Sequence, residues 1–166
     1  MPVDPTSNQG CERPAPPELL SGIEQFNQRE YFECHETLEA LWNIERAQAA
    51  QASKATDQGT SGIVYCDNLY KGILQVGVGC YHLLRHNYRG ATIKLQSGAD
   101  YLEPFAPRCM GVEVGRLIAD ARRLRAELAT LGPERFEEVD LALLPIVRVA
   151  GENHASPAQE PPHEPQ

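Results

Sequence analysis

No stretch of this chain is apolar for long enough to cross a membrane. Its longest apolar-rich run lies between Leu69 and Leu84, and Lys71, Gln75 and His82 interrupt it. A spanning helix needs about 20 predominantly apolar residues in a row, so this run reads as a buried helix. The start Met-Pro-Val-Asp-Pro has neither the basic residues nor the apolar segment of a secretory signal. The expected location is therefore the cytoplasm, with no membrane partner. Positive charge is scarce as well, with 15 basic residues against 23 acidic ones and a net charge of −8. Nucleic-acid binding rests on a basic patch that neutralises phosphates. The one dense basic group, Arg122, Arg123 and Arg125, stands among acids on a late helix, so no nucleic-acid partner is expected.

Closely spaced cysteines are missing too. Cys11, Cys34, Cys66, Cys80 and Cys109 are odd in number and form no Cys-x-x-Cys pair, which argues against a zinc ribbon or a thioredoxin-type motif. Reduced, mostly buried thiols are the default expectation. No convincing strand alternation and no internal repeat is present.

What is present is helical period. The apolar content of 42% and charged content of 23% suit one globular domain. Residues 1–17 carry five prolines and read as a disordered lead-in, as does the tail over 150–166. Between them, residues 18–149 are expected to form a single all-α domain, a bundle of about five helices.

The first helix starts near Glu18, after Pro16-Pro17, with Leu19, Ile23 and Phe26 on one face. The second runs from about Glu33 to Arg46, where Cys34, Leu38, Leu41 and Trp42 fill an apolar arc of roughly 80°. Residues 47–62 extend it briefly through their alanines and then become a loop insertion. The third helix spans about Asp67 to His86. Gly72 and Gly79 give it a strip where another helix can come close. Asn87 ends that helix or caps the next, which stops before Pro104. The fifth covers Val114 to Leu131 and closes at Gly132-Pro133, and Phe136 to Val147 packs as a short final element.

His35 and Glu39 are four residues apart and hence share a helix face. Glu36 lies about 100° round from His35. An imidazole and a carboxylate in this relation can reach one ion, and they equally suit a hydrogen-bonded helix contact. The zinc-protease pattern His-Glu-x-x-His fails because Glu39 occupies the second histidine position. None of His35, His82 and His86 ends a Glu-x-x-His of the di-iron type, since Phe32, Gly79 and Leu83 stand three residues before them. On the third helix, Lys71, Gln75, Val78 and His82 form a mostly polar stripe that must find partners, and His35, Glu36 and Glu39 are the expected ones. The site reading gathers His35, Glu39 and His82 as ligands of a divalent ion such as Zn, Mn or Fe, with Glu36 as general base on a bound water. The architectural reading has Lys71 or His82 pairing with the glutamates, and a third has the chain self-associating through the glycine strip or the helix at 113–131. Cys34 beside His35 is a poor nucleophile–base pair, since adjacent helical side chains diverge. Trp42 is expected in the core with its indole N–H satisfied.

These residues also carry a resemblance. Phe26-Asn27, Tyr31-Phe32-Glu33-x-His35-Glu36-x-x-Glu39-x-x-Trp42, Gly72-x-x-Gln75, His82 and Asn87-x-x-Gly90-Ala91 resemble the domain-of-unknown-function family numbered 309, over about residues 18 to 105. The resemblance implies a compact all-helical bundle of a bacterial-type cytoplasmic protein. Metal-dependent hydrolase is a label in use for that family, and no established activity carries over from it. Ala47 to Gly62 is longer than the short link expected between those helices.

Overall fold

A computed structural model describes residues 10–55 and 66–150 of the chain. Five helices follow one another: α1 (Pro17–Asn27), α2 (Tyr31–Ala55), α3 (Asp67–Leu84), α4 (Tyr88–Leu102) and α5 (Val114–Leu131). Among the described residues there are no strands beyond isolated bridges at Cys109–Val112 and Val112–Val149. The bundle expected from the helical period is therefore the fold.

Each boundary has a local cause. Pro17 opens α1 at a position whose N–H needs no partner. Leu19, Ile23 and Phe26 are buried from it. Arg29 takes φ 65° in the turn that follows. α2 then begins at Tyr31, whose ring meets Phe26 edge-on at 5.5 Å between centroids. It runs nine residues past the expected end at Arg46, to Ala55, because the segment 47–55 is rich in alanine and other strong helix formers. Residues 56–62 of the expected loop lie outside the described residues. α3 stops at Leu84 rather than His86, since His86 at φ 63° turns the chain back. Asn87 caps α4, its Oδ1 accepting from the Gly90 N–H at 2.9 Å. Gly132 at φ 81° ends α5 as expected.

α3 is the central element, packed between α2 and α4. Its approach to α4 is close enough that a Cβ on Gly72 would sit 2.6 Å from Leu102 Cδ2, and one on Gly98 2.8 Å from Val76 N. The glycine strip of α3 is thus covered by α4 within the chain. One hydrophobic core joins all five helices with the C-terminal segment.

Both flanks of the domain are tied in. Asn27 holds Val147 through two hydrogen bonds, Nδ2 to the carbonyl at 2.9 Å and the Val147 N–H to Oδ1 at 2.8 Å. The expected final element over 136–147 consists of two short 3-10 turns and an extended run. The lead-in expected to be disordered over 1–17 is folded from Gly10 onward. Residues Gly10–Glu12 form a 3-10 turn, Met110 N–H donates to the Cys11 carbonyl, and Cys11 is bonded to Cys109. The expectation of reduced thiols holds for the buried Cys34 and Cys80. It fails for Cys11 and Cys109, which the returning N-terminal strap brings together.

Candidate functional site

α2 places His35 and Glu39 on one face, with Nδ1 and Oε2 3.7 Å apart and side chains 37% and 51% exposed. Glu36 is exposed beside them. The polar stripe of α3 lies elsewhere, running antiparallel along α4. Lys71 Nζ sits 4.8 Å from the Tyr101 ring centroid. Gln75 Oε1 accepts a short hydrogen bond from Ser97 Oγ. The ring of His82 packs where a Cβ on Gly90 would be 2.7 Å away, and its Nδ1 is 3.2 Å from Asn87 Nδ2. Burial, helped by Lys94, lowers the His82 pKa. His82 and Gln75 therefore find their partners on α4 and at its cap. Among the described residues, the group of three or more His, Cys, Asp or Glu side chains with ligating atoms all within 4.8 Å of one another is Cys11, Cys66 and Cys109.

The first residue of the stripe does meet α2. Lys71 Nζ lies 5.2 Å from the centroid of the Trp42 ring, and Arg46 Cζ lies 4.8 Å from the same centroid. Trp42 and Arg46 continue the row of His35 and Glu39 by one turn each, so the same helical spacing that aligned the first pair carries the second. Together with Asp67, Asn68 and Tyr101 they line a groove of about 600 Å³. Neither cation has an acidic partner among the described residues. Two buried polar atoms of the lining, Trp42 Nε1 and Asp67 Oδ1, have no hydrogen-bond partner among the described residues either. Trp42 is only half buried, and its indole N–H is not satisfied as expected. Sequence reasoning placed Lys71 and Trp42 on facing helices. It missed Arg46, Asp67, Asn68 and Tyr101, although Arg46 at i+4 from Trp42 was a readable signal.

Neighbouring residues of α2 and α3 form a partly buried polar knot with Arg13. Tyr70 is fully buried; its hydroxyl donates to Glu45 Oε2 at 2.7 Å and accepts from Arg13 Nη2 at 3.0 Å. Arg13 also bonds Glu45 Oε1 at 2.6 Å. Burial first, then the bond to Glu45, pushes the Tyr70 pKa far up. A smaller cavity of about 180 Å³ borders α5, where Arg148 stands 3.8 Å from Asp120.

Comparison with known proteins reaches this part of the fold. Residues 19–93 match the family described as Domain of unknown function (DUF309). This is the family the sequence resembles. The match takes in α1, α2, α3 and the start of α4, and so includes His35, Trp42, Arg46 and Lys71 but not Tyr101. No curated protein and no solved structure matches the chain. Among the described residues, no helix is long and apolar enough to cross a membrane.

Proposed function

We propose that this DUF309 domain binds a small organic anion with a flat ring, in the groove between the C-terminal half of α2 and the start of α3. The observation that carries this reading is the sharing of one indole by two cations, Arg46 and Lys71, with no carboxylate paired to either among the described residues. Each cation gains from the ring, but the two repel one another, and an anion between them relieves that repulsion. Trp42 and Tyr101 offer aromatic surface for a ring, and the unmet Trp42 Nε1 and Asp67 Oδ1 are a donor and an acceptor of the kind that water or a ligand supplies in folded proteins. The groove volume of about 600 Å³ falls in the range of about 300–1,000 Å³ usual for small-molecule sites. In this reading His35, Glu36 and Glu39 are a solvated helix face, and Gln75 and His82 fix the register of α3 on α4.

The rival from another class makes the domain a metal-dependent hydrolase, with His35, Glu39 and His82 as ligands and Glu36 as general base. One reagent separates the two. Titration of the full chain with 4-nitrophenyl phosphate, read through emission of its single tryptophan, Trp42, is expected to give a saturable quench. Lys71→Met keeps the aliphatic stem and is expected to weaken binding by about tenfold to a hundredfold, the effect of losing one charge-assisted contact of about 1.5–3 kcal/mol. Supply of Zn, Mn or Fe is expected to release no 4-nitrophenolate. An unsaturable quench identical in both proteins would contradict the binding reading, and metal-dependent release abolished by His35→Ala would put the hydrolase in its place.

A further inference from the structure

The polar knot opens onto sulfur. The Sγ atoms of Cys11, Cys66 and Cys109 all lie within 4.8 Å of one another. They come from three separate places in the chain: the N-terminal strap, the residue that opens α3, and the loop before α5. Cys11 and Cys109 are joined in this structure, and Cys66 is the third corner. Met110, next to Cys109, adds a thioether whose sulfur is 3.7 Å from the Tyr70 hydroxyl. Cys66 and Cys109 are buried and Cys11 is half-buried, so this corner is shielded by the fold.

We propose that Cys11, Cys66 and Cys109, once the Cys11–Cys109 bond is reduced, form a three-thiolate site for a thiophilic divalent cation of the Zn2+ type. The disulfide is the metal-free alternative state of the same three residues. Zinc–sulfur bonds of about 2.3 Å place tetrahedral thiolates about 3.8 Å apart, so on reduction Cys11 and Cys109 Sγ must part from bonding distance to that spacing, while Cys66 Sγ, already within 4.8 Å of both, has only a short way to move. Soft sulfur ligands select Zn2+ over Mg2+ or Ca2+.

The chemistry balances without a hidden partner. A thiol or phosphine reductant supplies two electrons, solvent supplies two protons, and the disulfide becomes two thiols. Binding of Zn2+ then releases the protons of three thiols to solvent. Three thiolates and one Zn2+ carry a net single negative charge, and the Arg13 guanidinium interacts favourably with Cys66. This site is separate from the ring-stacking groove and stands or falls on its own. Two of its three residues also lie outside the segment that matches the family.

The test uses the full chain, reduced anaerobically with a phosphine, offered Zn2+ and freed of excess by gel filtration before metal and protein are counted. One Zn2+ per chain is expected in the reduced wild type and in Cys34→Ala, whose thiol is buried away from the corner. None is expected in Cys66→Ala, in Cys11→Ala, or in wild type left oxidised. Co2+ in place of Zn2+ should give the near-ultraviolet charge-transfer absorption of a thiolate complex in the first two proteins only. Because Cys11 sits on the strap outside the helices, its variant reads the site even if Cys66→Ala misfolds. Reduced wild type without metal, or retention of Zn2+ by Cys11→Ala, would overturn the proposal.

Discussion

His82 shows how a single side chain is fixed by its surroundings. Its Nδ1 faces Asn87 Nδ2 at 3.2 Å, an arrangement in which the ring accepts and is neutral, and burial together with Lys94 lowers its pKa. The unfolded chain has neither constraint and takes up a proton near pH 6.5. Below that point the unfolded state binds more protons than the folded one, so stability is full above it and declines as the pH falls towards the folded-state value. Urea unfolding of wild type and His82→Gln at about pH 7.5 and about pH 5.5 is expected to show the steeper acid loss in wild type. Equal losses in the two proteins would mean that the neutral ring is not favoured by the fold. His35 differs in kind. Its side chain is more than a third exposed and lies 3.7 Å from Glu39, and such surface pairs contribute about 0–1 kcal/mol.

At the scale of elements, the α3–α4 contact decides most of what the sequence hid. The stripe Lys71, Gln75, Val78 and His82 is plain from spacing, and so is its need for partners. The spacing does not say which neighbour supplies them. Close approach at Gly72, Gly79 and Gly98 brings α4 against that stripe, so Ser97 and Asn87 take the places that the glutamates of α2 were expected to fill. That contact is itself testable. Alanine is favoured over glycine by about 1 kcal/mol inside a helix. A Cβ at position 98, however, would lie 2.8 Å from Val76 N and 3.0 Å from the Gly72 carbonyl oxygen. Both are backbone atoms that cannot rotate aside, and overpacking costs about 1–3 kcal/mol or more. Gly98→Ala is expected to lose about 1–2 kcal/mol net, read as a Tm lower by several degrees; an unchanged or higher Tm would show that α3 and α4 are not held this close. The start of α1, the cap at Asn87 and the whole of α5 were legible because local residue types determine them. The Cys11–Cys109 bond was not, because 98 residues separate its ends and only the folded strap brings them together.

For the molecule as a whole, the helical bundle and the likeness to the family over residues 19–93 followed from pattern and motif, while the centre of interest moved along α2. The His35–Glu39 end presents an open, solvated pair. The Trp42–Arg46 end, two turns further on, lines an open groove with Lys71 and Tyr101. The sequence contained both ends of one row, but it could not show which end faces a neighbour. The matching family is described only as of unknown function, and the proposed function rests on the groove. Because the chain has one tryptophan, nitrogen-labelled protein has a single indole N–H resonance, and that proton belongs to the unmet donor in the groove wall. This resonance is expected to move progressively to a plateau as 4-nitrophenyl phosphate is added to wild type, and to move far less in Lys71→Met. A resonance that stays in place while the protein is fully folded would contradict the binding reading.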